Sequence, residues 1–142
     1  MEAQPFVIEH TMDAPADKVW EAITDKDEMK QWYFDLAEFK PEVGYKFEFT
    51  GGSEDKTYLH KCEVLEVERG AKLSHTWTYD GYSGYSIVSW LLTPYGKATR
   101  VKLIHTGLET FPKEKDFARE SFSQGWNYIV GKSLPDFLEK AG

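Results

Sequence analysis

Two histidines fall where a side chain could do chemistry in the interior of this 142-residue chain. His75 alternates with Leu73, Trp77 and Tyr79, and His105 with Val101 and Leu103. A histidine on the apolar side of a strand can hydrogen-bond a guest or act as a base near neutral pH. Its commoner role is that of a core histidine bonded to backbone or to a tyrosine. Tyr79 and Tyr85 are the groups an enzyme would pair with His75 and His105, yet no pair is recognisable from spacing, so no catalytic residue is assigned. Cys62 stands alone among strand-forming residues, which predicts a buried, inert thiol and rules out an internal disulfide. A Gly-x-Ser-x-Gly elbow is absent, and Gly51-Gly52 opens a hairpin without the helix that a phosphate loop needs. Glu109 and Asp116 read as solvated acids before a helix rather than as catalysts.

Rings surround these polar groups. Five Trp, eight Tyr and nine Phe make the chain 15% aromatic, enough either to fill a core or to line a cavity for a flat apolar guest. Trp77, Trp90 and Trp126 read as inward. Tyr45, Phe47 and Phe49 form a stripe at period two, and Trp32 and Tyr33 stand on a short helix as gate or plug. The expected ligand-contacting set is Trp32, Tyr33, Phe47, Phe49, His75, Trp77, Val88, Trp90, Leu103, His105, Phe122 and Trp126, with no metal and no cofactor.

The elements that must hold these residues follow from periodicity. Phe6 to Met12 alternates as a strand, and Asp13-Ala14-Pro15 breaks it, with Asp13 or Ala14 as the expected cap of a helix ending near Thr24. Met29, Trp32 and Tyr33 mark a second short helix. Strands are predicted over Val43 to Phe49, Tyr58 to Val67, Leu73 to Tyr79, Tyr85 to Thr93 and Thr99 to His105. Turns lie at Ser53–Lys56, Arg69-Gly70, 80–84 and Pro94–Lys97. A helix starting near Glu114 carries the apolar stripe Phe122, Trp126, Ile129, Val130, Leu134, Phe137 and Leu138. Pro135 removes a hydrogen bond to the carbonyl of Gly131, which predicts a kink there. The result is one α+β domain spanning 1–142. A curved antiparallel sheet of about six strands is gripped by a long kinked C-terminal helix, and two short helices follow the first strand. The space between sheet and helix is the candidate cavity.

Composition narrows the partners. The net charge is −7, the pI is about 5.1, and Lys and Arg are dispersed among acids, as in Glu114-Lys115-Asp116. Nucleic acid and anionic membrane surfaces need clustered cations, so neither is expected. No stretch approaches the roughly 20 apolar residues of a membrane span. The start Met1-Glu2-Ala3-Gln4-Pro5 lacks a signal peptide's basic and apolar regions, so a cytoplasmic location is expected.

The order of motifs resembles the START-like, helix-grip (SRPBCC) superfamily. Within it the chain is similar to the family named after the C-terminal domain of the activator of heat-shock protein 90 ATPase. The matching segments are Ala14–Thr24, Gln31-Trp32-Tyr33, Val43–Phe47, Leu73–Trp77, Val88-Ser89-Trp90, Thr99–Leu108 and Gly125-Trp126. The resemblance implies that the first and last strands pair, which would set His10 near His105, and it covers almost the whole chain. Pro135 departs from the family's uninterrupted last helix and would reshape one end of the cavity. Three functions follow as expectations. The first is a binding module for a small hydrophobic or aromatic molecule. The second is a chaperone-accessory or stress-linked protein acting through its surface. The third is a cavity enzyme of the cyclase or hydrolase type.

Overall fold

The computed structural model describes residues 4–33, 38–52, 57–113 and 117–141. Alternation of apolar and polar residues yields six strands: β1 (Phe6–Met12), β2 (Lys46–Gly52), β3 (Thr57–Glu68), β4 (Lys72–Tyr79), β5 (Ser86–Tyr95) and β6 (Ala98–Thr106). All neighbours pair antiparallel in the order β1-β6-β5-β4-β3-β2, so β2 to β6 form a meander and β1 closes onto β6. A register shift between Val64 and Glu66 marks a bulge in β3, which bends the longest strand. The sheet is open and curved, as the period-two pattern and its helical cover require.

Helices α1 (Ala16–Thr24) and α2 (Lys26–Trp32) follow β1. The C-terminal run is α3 (Arg119–Tyr128), a π turn (Ile129–Ser133) and α4 (Leu134–Ala141). Its stripe is buried at Phe122, Trp126, Val130, Leu134 and Leu138 against the sheet's inner face. Apolar side chains removed from water at both surfaces hold the layers together. The π turn is centred on Gly131, the residue whose carbonyl Pro135 cannot serve. One extra residue in the turn lets the helix continue past a proline.

Several boundaries differ from expectation. Pro15 itself is the N-cap of α1: its carbonyl accepts from Lys18 N at 3.0 Å, and no side chain caps. Residue Asp25 caps α2 instead, its Oδ1 accepting from Asp27 N at 2.8 Å. Strand β2 begins at Lys46, because Gly44 turns the chain and leaves Val43 69% exposed. Strand β5 continues through Pro94 and Tyr95, so the turn shrinks to Gly96 and Lys97. Helix α3 begins at Arg119, since Ala118 is extended. The predicted turn at Ser53–Lys56 and the residues Glu114, Lys115 and Asp116 lie outside the described residues.

One glycine fixes the junction of β6 with the loop beyond it. Gly107 has φ 87°, and a Cβ there would stand 2.5 Å from the carbonyl oxygen of Tyr85 and 3.0 Å from Cα of Ser86. Left-handed backbone strain and a clash with backbone then act together. Gly107→Ala is expected to lower unfolding stability by about 3 kcal/mol, measured by urea denaturation; a loss under about 0.5 kcal/mol, within the range of ordinary surface substitutions, would contradict this account.

Candidate functional site

The inner face of the sheet carries a buried polar chain whose direction can be worked out atom by atom. Trp126 on α3 donates its indole N–H to His105 Nδ1 at 3.1 Å. An indole nitrogen only donates, so Nδ1 is the acceptor and the ring proton sits on Nε2. His105 Nε2 then donates to Ser86 Oγ at 2.9 Å, and Ser86 Oγ donates to the carbonyl of Trp77 at 2.6 Å. His105 is fully buried, and both of its nitrogens are engaged internally. The rings of Trp77 and Phe122 pack on it at 5.7 and 5.1 Å. Trp77 in turn donates to the hydroxyl of Tyr79 at 2.8 Å. Val88 and Leu103 are fully buried on the same face of the sheet. This half of the predicted contact set is a filled and hydrogen-bonded interior.

The other half borders a crevice where the end of α2 meets β2, β4 and β5. Trp32, Tyr33, Phe39, Phe47, His75 and Trp90 line it together with Ile23, Met29 and Leu73, and its volume is about 10 Å³. Trp32 is fixed by its N–H donating to the Ala22 carbonyl at 2.9 Å. Tyr33 stacks on Trp32 at 5.0 Å and meets the edge of Trp90 at 6.3 Å. Phe47 stands edge-on to His75 at 5.2 Å, and Phe49 lies behind it, 6.2 Å from Tyr33. His75 is 3% exposed. Its Nδ1 lies 2.9 Å from the Thr76 carbonyl, an acceptor, so the proton sits on Nδ1 and Nε2 carries a lone pair. That Nε2 makes no hydrogen bond among the described residues.

Some expectations do not hold. His10 is exposed and pairs with Val101, four residues from His105, because Phe6 takes the place opposite His105. Tyr85 is 54% exposed and outside the interior. Glu109, by contrast, is a solvated acid as expected, exposed in a 3-10 turn (Leu108–Thr110), and Asp116 lies outside the described residues. Conversely, His60 lies outside the expected set and inside the core. It is buried, stacks on Phe49 at 4.5 Å and bonds through Nδ1 to the Tyr58 carbonyl at 3.1 Å. Its parity with Tyr58, Cys62 and Val64 was the signal that could have found it. Phe39 and Phe117 sit in irregular segments with no period to reveal them.

Burial sets the protonation of the interior. Desolvation holds His60 and His75 down at about 4 and His105 at about 3, the last also through the nearby His75. Burial likewise pushes the thiol of Cys62 and the phenol of Tyr33 well up, leaving Cys62 inert. Outside the interior, Glu21, Asp25 and Glu28 bring carboxylate oxygens within 4.8 Å of one another, a convergence the sequence reading did not anticipate. Partial burial, then the hydrogen bond that its protonated form donates to Glu21, raises Glu28 to about 7. Asp25 is already committed to capping α2. A surface concavity of about 880 Å³ lies between α1 and the β3–β4 turn, is open and charged, and is lined by none of the buried histidines.

Residues 13–139 match the family model described as Activator of Hsp90 ATPase homolog 1-like protein. Among solved structures, DynU16, a protein of the dynemicin biosynthetic locus, is 25% identical with a TM-score of 0.80 over 98% of this chain. This chain spans only 48% of DynU16. A Mesorhizobium loti protein is 25% identical with a TM-score of 0.77, covering 98% of this chain and 99% of its own. A Bacillus halodurans protein is 26% identical with a TM-score of 0.76, covering 96% and 98%. No curated protein sequence matches the chain. Among the described residues no helix is long and apolar enough to cross a membrane.

The three buried histidines make a pH prediction. Their folded values lie below the ordinary 6.5, so between about pH 6.5 and 4 the unfolded chain binds protons that the folded chain refuses. Stability is therefore full above about pH 6.5 and is lost as the pH falls toward 4, by about 1.4 kcal/mol per pH unit for each histidine. Urea titrations from pH 7 to 4.5 should show the decline; a flat profile would mean that the histidines are hydrated in the folded state.

Proposed function

The chain belongs to the Activator of Hsp90 ATPase homolog 1-like family, and we propose that it binds a small apolar molecule bearing an aromatic ring. The site is the crevice between α2 and the inner face of β2, β4 and β5. One observation carries this reading. A crevice walled by Trp32, Tyr33, Phe47 and Trp90 ends on His75, a buried neutral side chain with an unused acceptor. Nε2 of His75 has no hydrogen-bond partner inside the protein among the described residues, and it faces the crevice rather than the packed core. A guest that donates to it supplies the partner that the protein does not.

At about 10 Å³ the crevice has room for about one water molecule, so a guest must displace a ring. The membership of DynU16 in a biosynthetic locus supports a small-molecule role for a protein of this fold. Binding rather than turnover fits the histidines. A base near 4 is weak at neutral pH, and the acceptor nitrogen of His105 is already taken by Trp126. The chaperone-accessory reading draws on the family description alone.

A thermal-shift screen against neutral aromatic metabolites tests the proposal. A true guest at a hundred times its dissociation constant adds about 2.7 kcal/mol, and its NMR perturbations should centre on Trp32, Tyr33, His75 and Trp90. A broad panel without any shift in midpoint would return these rings to the core.

A further inference from the structure

We infer that the guest is a neutral phenol, and that the ring of Tyr33 occupies its place when the site is empty. This rests on the binding reading above and names the chemistry of the guest. Tyr33 is half buried, yet its hydroxyl oxygen is entirely inside, so the ring enters the crevice tip first. It lies stacked on Trp32, with Trp90 and Phe49 against its other sides. The hydroxyl does not bond to Nε2 of His75, so Tyr33 holds the ring space of the crevice and leaves its polar end to a guest.

The polar end of the site selects the same chemistry. His75 offers an imidazole lone pair at Nε2, which accepts from an O–H or N–H and repels another acceptor. Among the described residues no Lys or Arg lines the crevice, so a carboxylate or phosphate guest would bury a charge that they do not compensate. A hydrocarbon would fill the rings but leave Nε2 unused. A phenol satisfies both demands: its face stacks on Trp32, and its hydroxyl donates to His75. Trp90 adds a second polar group, since its indole N–H makes no hydrogen bond among the described residues. A phenol oxygen that donates to His75 can also accept.

Because Tyr33 holds the place, the binding-competent state is a fraction of the whole, and apparent affinity falls by that fraction. Removing the ring should remove the competition. The test uses the full chain, its Tyr33→Ala variant, and two probes: 4-methylphenol, which is the tyrosine side chain, and toluene, which lacks the donor. Binding is followed by calorimetry and by ¹⁵N NMR of the His75 ring.

Four results are expected. Tyr33→Ala should bind 4-methylphenol at least about tenfold tighter than the unaltered chain does. It should prefer 4-methylphenol over toluene by about tenfold or more, the scale of one buried hydrogen bond. The His75 Nε2 resonance should shift upfield with 4-methylphenol and not with toluene. His75→Phe in the Tyr33→Ala background should erase the preference, and the NMR shift decides the matter if that double variant does not fold. Equal binding of the two probes with an unmoved Nε2 resonance would overturn the phenol inference while leaving the ring-lined site standing. Equal affinity of 4-methylphenol for the two chains would overturn the role of Tyr33. Failure of both probes to bind folded Tyr33→Ala would overturn the inference and the binding site together.

Discussion

The bond from Trp126 to His105 is the interaction on which the interior depends. It joins α3 to β6, and through Ser86 it reaches β5 and the backbone of β4. Four elements distant in sequence are set by one directional chain with no donor to spare. An indole cannot accept, so the imidazole has one permitted tautomer, and a second proton on the ring would have to displace the indole. Burial enforces the same state by penalising the charged form. Cutting the chain at any link strands a buried polar group at about 1–3 kcal/mol. The packing of Trp126 on Trp77 and Trp90 then locks the helix at a fixed distance from the sheet.

That fixed distance divides the rings into two populations. Beneath α3 the space closes, and Trp77, His105, Phe122 and Trp126 are mutually packed. Toward α2 the cover passes to a seven-residue helix, and the fit loosens into the crevice beside His75. The two histidines share a face and a depressed proton affinity, and they differ in one respect. Both nitrogens of His105 are used within the protein, whereas one nitrogen of His75 is not. Depressed proton affinity alone therefore does not mark a site, because burial lowers His60, His75 and His105 alike. The unused acceptor does the distinguishing.

Sequence pattern carried the sheet almost intact, because a half-buried strand must alternate and a helix on a sheet must carry a stripe. The inward parity of Phe47, His75, Trp77, Trp90, Leu103 and Trp126 followed from that alone. What failed depended on contacts that periodicity does not encode. His10 has the right parity, but register places it opposite Val101, and its side chain is exposed. Pro15 takes a cap role that the sequence pattern assigned to Asp13 or Ala14. Phe39 contributes a wall from a segment with no regular structure. The proline effect was legible at Gly131, yet the chain widens one turn there and continues, because sheet contacts on both sides hold the helix in place.

The π turn has a consequence at the far end of the crevice. It contains Ser133, whose hydroxyl donates to the backbone carbonyl of Trp32. Trp32 is thus held twice, by its indole to α1 and by its carbonyl to the C-terminal helix. Tyr33 is the next residue and stands past the last helical position of α2. Adjacent rings therefore have different freedom: Trp32 is wall, and rotation of Tyr33 about its own side-chain bonds leaves both anchors intact. A side chain leaving its place alone costs far less than opening a layer of the core, since only one ring's buried surface is exposed, about 1.5–3 kcal/mol. An arriving ring restores that surface. The proline that interrupts the last helix, through Ser133, thereby helps keep the wall still beside a ring whose rotation leaves both anchors intact.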